Sequence, residues 1–154
     1  MTAGPAPVQI RRARPADAAA LLALEQHFPG DRMSVRSLRH LLQVPSAALW
    51  VAQREGKVLG ALVLLTRRNS GIARIYSVVV SPAARGAGLG RRLVLAAETH
   101  ARRSKKSLMS LEVRADNAAA IALYLGLGYT QQRALAAYYD DGADGLRLRK
   151  TLSG

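Results

Sequence analysis

The stretch "SVVVSPAARGAGLGRRL", Ser77 to Leu93, decides how the rest of the chain is read. A β-branched apolar run stops at Pro82, three alternating glycines follow at 86, 88 and 90, and an apolar-periodic segment opens behind them. That order is strand, tight turn, helix. Glycine lets the backbone turn sharply and approach a ligand without a Cβ in the way. A helix start adds unpaired N–H groups and the positive end of the helix dipole. Together they make a cradle for phosphate or pyrophosphate, and Arg85, Arg91 and Arg92 add formal charge. A plain tight turn is the simpler reading. A phosphate-binding P-loop needs Gly-Lys-Ser/Thr, which is absent. A dinucleotide fingerprint needs a third glycine where Arg91 stands, although Glu112 lies beyond the next strand, where a ribose-binding acid sits in such folds.

Working outward, "AALWVAQRE" (47–55) and "KVLGALVLLTRR" (57–68) read as a hairpin about Gly56, with "IARIYSVVVSP" (72–82) as its third strand. Upstream, "VQIRRA" (8–13) is a strand. Asp17 is expected to cap a helix, "AAALLALEQHF", with Leu21, Leu24 and Phe28 on one face. "PGD" (29–31) is a turn, and Ser34 caps a short helix striped by Val35, Leu38, Leu41 and Leu42. Downstream come a helix from about Gly88 to Arg103, a strand in "KSLMSLEVR" (106–114), and a helix in "DNAAAIALYLGLGY" (116–129) ended by Gly126 and Gly128. "TQQRALAAYY" (130–139) and "LRLRKTL" (146–152) are late strands around the acidic loop "DDGADG". The order β-α-α-β-β-β-α-β-α-β-β gives an α/β domain, antiparallel in front with a βαβ crossover in the middle.

Composition bounds the function. The 154 residues are expected to form one domain, residues 1–154. No apolar run is long enough to span a bilayer, and the N-terminus shows no signal-peptide pattern, so a cytoplasmic location with no membrane contact is expected. The absence of cysteine removes disulfides, thiolate metal sites and a cysteine nucleophile. His27, His40 and His100 lack metal-ligand spacing, so no metal is expected. The net charge is +13, and 19 of the 23 basic residues are arginine, which draws polyanions such as nucleic acid, ribosomes or phosphorylated cofactors. The basic residues are spread along the chain and aromatics are only 5%, which also fits an arginine-rich solvated surface.

Arg85-Gly86-Ala87-Gly88-Leu89-Gly90 fits the pattern [Q/R]-x-x-G-x-[G/A], and "LEVRADNAAAIALYLGLGY" (111–129) is more specific still. Both resemble the GNAT N-acetyltransferase superfamily, most closely its ribosomal-protein-alanine N-acetyltransferase branch. The resemblance is strong from about Ile75 to Tyr129 and weaker through "YYDDGADGLRLRK". That branch carries a tryptophan in the entry loop after its first helix. Here the corresponding "HFPGDRMS" has none, which leaves the acceptor open.

The resemblance implies a mostly antiparallel mixed sheet flanked by about four helices, whose two central parallel strands splay apart around acetyl-CoA. In this chain those strands are Ile75–Val80 and Leu108–Arg114. Backbone groups of the run Val78, Val79 and Val80 would serve the pantetheine, with Val78 and Val80 pairing to it. Arg85, Gly86, Ala87, Gly88, Leu89, Gly90 and Arg91 would hold the pyrophosphate. Asn117 is either a helix cap or a contact to the pantetheine end. Tyr124 is either a core tyrosine or the general acid beside the thioester sulfur. Glu112, a carboxylate within an apolar strand, is either paired with an arginine or used as general base, through water. The implied reaction is direct acetyl transfer to an amine, foremost a protein N-terminus. A small amine or an internal lysine is the alternative. A basic RNA- or ribosome-binding module with a vestigial groove is the reading from another class. Ribosome association, and a monomer or homodimer, are consistent with all three. The loop Asp140–Asp144 is either a solvated turn or a lure for a cationic acceptor.

Overall fold

A computed structural model of the chain describes residues 6–26 and 34–152. His27, Phe28, the "PGD" turn and the tryptophan-free entry loop as far as Met33 lie outside the described residues. The strands are β1 Gln9–Arg12, β2 Ala47–Arg54, β3 Lys57–Thr66, β4 Ile72–Val80, β5 Leu108–Arg114, β6 Thr130–Leu135 and β7 Gly145–Thr151. The helices are α1 Ala18–Glu25, α2 Val35–Leu41, α3 Leu89–Arg103 and α4 Ala118–Gly126. The strands form one sheet in the order β1-β2-β3-β4-β5-β7-β6. β4 and β5 are parallel, whereas β1–β2, β5–β7 and β6–β7 are antiparallel. The element order matches the one read from the sequence, with two short 3-10 turns added, at Pro15–Asp17 and Pro82–Ala84.

The chain divides into two compact units: Met1–Val63 with Ser77–Ala97, and Leu64–Tyr76 with Glu98–Gly154. In the first, β2 is buried on both faces from Ala47 to Ala52, as a covered central strand must be. The hairpin turn is the two residues Glu55 (φ 50°) and Gly56 (φ 79°). Both are left-handed, the geometry that matches the natural twist of paired strands. Ser34 caps α2 as expected, its side chain accepting from Ser37 N at 3.1 Å. Of the expected α2 stripe only Leu38 is buried, and Val35 is 45% exposed.

Asp17 does not cap α1: its side chain makes no cap hydrogen bond. Its two oxygens instead accept from the Arg11 guanidinium at 2.8 and 2.9 Å, and Oδ2 also takes the Arg14 N–H at 2.7 Å. A bidentate guanidinium outcompetes a single helix N–H because two charge-assisted bonds form at once. The Arg11 hydrogen bonds hold the Asp17 carboxyl below its ordinary value, despite the opposing effect of burial.

In the second unit, β5 lies beside β4 in register Ile72–Leu108 to Ile75–Leu111 and pairs with β7 along its whole length. Met109, Leu111 and Val113 are buried on one face of β5, while Ser110, Glu112 and Arg114 alternate onto the other. α4 ends in a Schellman motif: Tyr129 N donates to Tyr124 O at 3.0 Å and Gly128 N to Leu125 O at 3.1 Å, with Gly128 at φ 97°. The strand expected over 130–139 is shorter. β6 ends at Leu135, Ala137 turns to φ 48°, and its N–H donates to Asp144 Oδ1 at 2.9 Å. Tyr138 and Tyr139 therefore belong to the connection and not to the strand.

Candidate active site

β4 passes through the short 3-10 turn at Pro82–Ala84 into the glycine segment. Gly86 has φ 87° and Gly88 φ 72°, and a Cβ built on either meets nothing within 4 Å. These glycines answer to backbone conformation, not to crowding. The first α3 bond runs from Arg92 N to Gly88 O at 3.2 Å. Leu89 is 3% exposed and anchors the helix start, while Arg85, Gly86, Ala87, Gly88 and Arg91 are exposed around it and Gly90 is half-buried within the first turn. The turn is tight and exposed, and it leads into the start of a 15-residue helix, a geometry suited to an anion. Arg92, counted among the charges of this loop, instead donates to Val8 O at 2.9 Å.

The edge of β4 follows from backbone alternation. Ser81 N donates to Leu59 O at 2.7 Å, and Val79 O stands 3.1 Å from where a Gly60 Cβ would lie. Residues 79 and 81 thus turn their polar groups toward β3. Successive residues of a strand alternate, so Val78 and Val80 turn theirs the other way. The β4–β5 register ends at Ile75–Leu111, and β4 continues for five residues beyond it.

Glu112 lies on the polar face of β5, its side chain 9% exposed. Oε1 is 3.1 Å from the Arg74 guanidinium and 3.9 Å from that of Arg147, and accepts from the Tyr138 hydroxyl at 3.4 Å. Oε2 is buried and has no hydrogen-bond partner among the described residues. The sequence left two readings, a carboxylate paired with arginine or one in use; Oε1 is paired with arginine, and Oε2 has no donor among the described residues. A buried carboxylate oxygen without a donor calls for a water or a ligand. Arg74, Arg147 and Tyr138 escaped the sequence reading. Alternation in "LRLRK" puts Arg147 and Arg149 on one face, but only the register Glu112–Arg147 and Ser110–Arg149 shows which residues they meet.

Asn117 caps α4, its Oδ1 accepting from Ala120 N at 3.1 Å. The cap uses the carbonyl oxygen, so Nδ2 is the atom that would donate to a ligand. Tyr124, two turns on, is 7% exposed, and burial pushes its hydroxyl up to about 12. Its ring stands edge-on to Tyr129 with centroids 5.6 Å apart. Tyr129 donates to Glu98 Oε2 at 2.9 Å, and Lys150 Nζ donates to Glu98 Oε1 at the same distance. Burial first, and Glu98 second, raise the Tyr129 hydroxyl. This triad was invisible in the sequence because its members lie 31 and 52 residues apart.

The acidic loop is largely spoken for. Asp141 Oδ2 meets the Arg114 guanidinium at 2.8 Å, and Asp144 takes the Ala137 N–H. The Arg114 bond lowers the Asp141 carboxyl. Asp140, the third aspartate of the loop, is exposed. Among the described residues no cluster of three or more His, Asp or Glu is arranged to hold a metal, and no helix is long and apolar enough to cross a membrane.

Comparison with known proteins agrees with this geometry. Residues 17–129 match the acetyltransferase (GNAT) family. An N-alpha-acetyltransferase RimI from Mycobacterium tuberculosis is 33% identical over 97% of this chain and 96% of its own length. An IAA acetyltransferase from Azospirillum brasilense is 30% identical over 87% of this chain and 92% of its own. The crystal structure of the ribosomal-protein-S18-alanine N-acetyltransferase from Escherichia coli superposes with a TM-score of 0.86 at 25% identity, covering 96% of each chain. With the strand–glycine turn–helix passage, the parallel β4–β5 pair and the family match over most of its length, the chain belongs to the GNAT acetyltransferase family and is an acetyl-CoA-dependent N-acetyltransferase.

Proposed function

We propose that the acceptor is the α-amino group of a protein N-terminus. Acetyl-CoA supplies an acyl group activated on sulfur, and transfer to the amine is direct. The exposed turn Arg85–Gly90, with Arg91 in the first turn of α3, suits the pyrophosphate, because a glycine turn and a helix N-terminus offer backbone N–H groups and Arg85 and Arg91 are exposed beside them. The outward N–H and C=O groups of Val78 and Val80 suit the pantetheine amides, and Val79 pins the strand from the β3 side. Asn117 Nδ2 is assigned to the pantetheine end. N–H groups at the end of β4 polarise the thioester carbonyl.

The observation that carries the chemistry is Glu112 Oε2. Arg74, Arg147 and Tyr138 occupy Oε1 and hold the carboxylate in place, which leaves Oε2 to accept the amine's proton through a water. Tyr124, kept protonated by burial, donates its hydroxyl proton to the departing sulfur. The neutral amine attacks the thioester carbon, the C–N bond forms and the C–S bond breaks; the proton lost by nitrogen goes to Glu112, the one gained by sulfur comes from Tyr124, and exchange with solvent resets both residues.

An α-amino group titrates near 7.7–8.0 and a lysine near 10.4, so at neutral pH the former is deprotonated roughly a few hundred times more often. A single carboxylate base therefore suits an N-terminus better. The likeness to an N-alpha-acetyltransferase along nearly the whole chain supports the same acceptor. The likeness to an IAA acetyltransferase favours a small-molecule acceptor as the second reading. The test is CoA release with a panel of peptides varied at the first residue, set beside polyamines and other small amines. Turnover confined to the peptides supports the first reading. Turnover confined to the small amines overturns it.

A further inference from the structure

We propose that one end of the unit formed by Leu64–Tyr76 and Glu98–Gly154 is a docking surface for the phosphate backbone of a structured RNA. Two separate segments build it, the β3–β4 turn (67–71) and the C-terminal end of α3 with its exit (102–107). Lys106 pins them together, donating through Nζ to Arg67 O at 2.8 Å and Ser70 O at 2.7 Å. Ser107 N adds a bond to Gly71 O at 2.8 Å. The approach is close enough that a Cβ on Gly71 would sit 2.8 Å from Ser107 Oγ. The result gathers Arg67, Arg68, Arg102, Arg103 and Lys105, all exposed, around the half-buried Lys106.

Charge is segregated within this unit. No acid occurs between Glu55 and Glu98, or between Glu98 and Glu112. Glu98 is 1% exposed and held by Lys150, with Arg102 at 3.7 Å. The other acids of the unit, Glu112, Asp116 and Asp140 to Asp144, follow from the middle of β5 onward. Cations in the last turn of a helix complement its dipole, which accounts for Arg102 and Arg103 but not for Arg67 and Arg68 on a hairpin turn. Lys105 adds an independent sign. It occupies the left-handed position of the α3 Schellman motif, φ 64°, with Lys106 N donating to Ala101 O at 2.9 Å. Glycine fits that position without strain, so the chain keeps a cation where the backbone disfavours any side chain.

The partner's chemistry follows from what the patch lacks. None of the large exposed apolar side chains lies in either segment, so there is no anchor for a bilayer or for a protein hot spot. A clustered arginine fork surface without stacking aromatics suits phosphates of a folded backbone more than unpaired bases. Glu112 lies four residues along β5 from Leu108, about 13 Å from the patch at the rise of an extended strand. The surface can therefore be occupied while the acid-rich end of the unit stays open. This inference does not depend on the identity of the acceptor.

The test is fluorescence anisotropy with a labelled hairpin RNA over a salt titration. One variant replaces Arg67, Arg68, Arg103 and Lys105 with Gln. The control replaces Arg36, Arg39, Lys57 and Arg133 with Gln, for an equal loss of charge. The expected result is about tenfold or greater weakening for the first variant, with a salt slope shallower by about 3, and a much smaller change for the control. Peptide acetylation should be unchanged in both. The pair Arg67→Gln, Arg68→Gln repeats the test without touching α3. Equal weakening by both quadruple variants would reduce the effect to net charge and overturn the proposal. So would loss of binding to anionic vesicles or to polyglutamate with RNA binding intact.

Discussion

Tyr129 joins Glu98 through a 2.9 Å hydrogen bond made where both side chains are almost wholly buried, at 1% exposure each. Lys150 closes the arrangement from β7, donating to the other Glu98 oxygen with its ammonium 5.7 Å from the Tyr129 ring. The carboxylate is tolerated in the interior because both oxygens are paired. The same contact fixes the residue against which Tyr124 rests.

Breaking this contact should cost stability in proportion to what is left unpaired. Glu98→Ala strands a half-buried ammonium and a buried hydroxyl, and about 3 kcal/mol, the lower end for breaking a buried pair, is expected. Tyr129→Phe keeps the ring and removes one charge-assisted bond, about 1.5–3 kcal/mol. At about 2–4 °C per kcal/mol for a chain of this size, Glu98→Ala should melt about 6–12 °C early and Tyr129→Phe less so. Thermal unfolding followed by circular dichroism checks the order. Equal melting of Tyr129→Phe and wild type would contradict it.

Glu112→Gln and Tyr124→Phe should each lower kcat by about 10²–10⁴ while the acetyl-CoA KM moves little, because each acts on a proton and not on binding. Burial raises Tyr124, so its acid form persists to about pH 12. The alkaline side of the kcat profile should therefore show no loss from Tyr124 below that range. A tyrosine-dependent fall near pH 9, present in wild type and absent in Tyr124→Phe, would contradict the assignment.

Asp17 gives a pH dependence of stability whose sign is fixed. Its folded-state value lies below the unfolded one, so its contribution is complete above the unfolded value of about 3.9 and is lost as pH falls through the folded one. Asp17→Asn should destabilise the protein at neutral pH, and the difference from wild type should shrink below about pH 4. Urea unfolding of both proteins across that range measures it. A constant difference would show that the Arg11 pair is not the source.

Gly88→Ala and Gly86→Ala meet open space but a disfavoured backbone angle, with a cost of about 1–2 kcal/mol each. Relaxing the turn should misdirect its N–H groups. The acetyl-CoA KM should rise several-fold while the acceptor KM holds. Initial rates with each substrate varied in turn check this, and equal shifts in both KM values would place the turn outside the acetyl-CoA site.

The fold was legible because its elements announce themselves locally. The apolar runs at 47–52 and 59–64, the Glu55–Gly56 turn, and Gly128 behind "IALYLGL" each have a local cause, and the observed element order repeats the expected one. Asp17 misled because a helix N-cap and an ion pair call for the same residue type, and the Arg11 that claims it lies on β1. The end of β6 misled because aromatic content in "AAYY" mimics a strand, whereas Asp144 draws the Ala137 N–H into a turn. Glu112, Asn117 and Tyr124 were named from their motif. Arg74, Arg147 and Glu98 were not, since strand register and long-range packing bring them to their partners.

The most direct test of the central claim uses one peptide that carries both a free α-amino group and an internal lysine. After incubation with the enzyme and acetyl-CoA at neutral pH, tandem mass spectrometry locates the acetyl group. α-Amino acetylation driven by one carboxylate base predicts a single modification at the N-terminus and none when that terminus is blocked. Acetyl-lysine in either peptide, or no peptide product while a small amine is turned over, would contradict it.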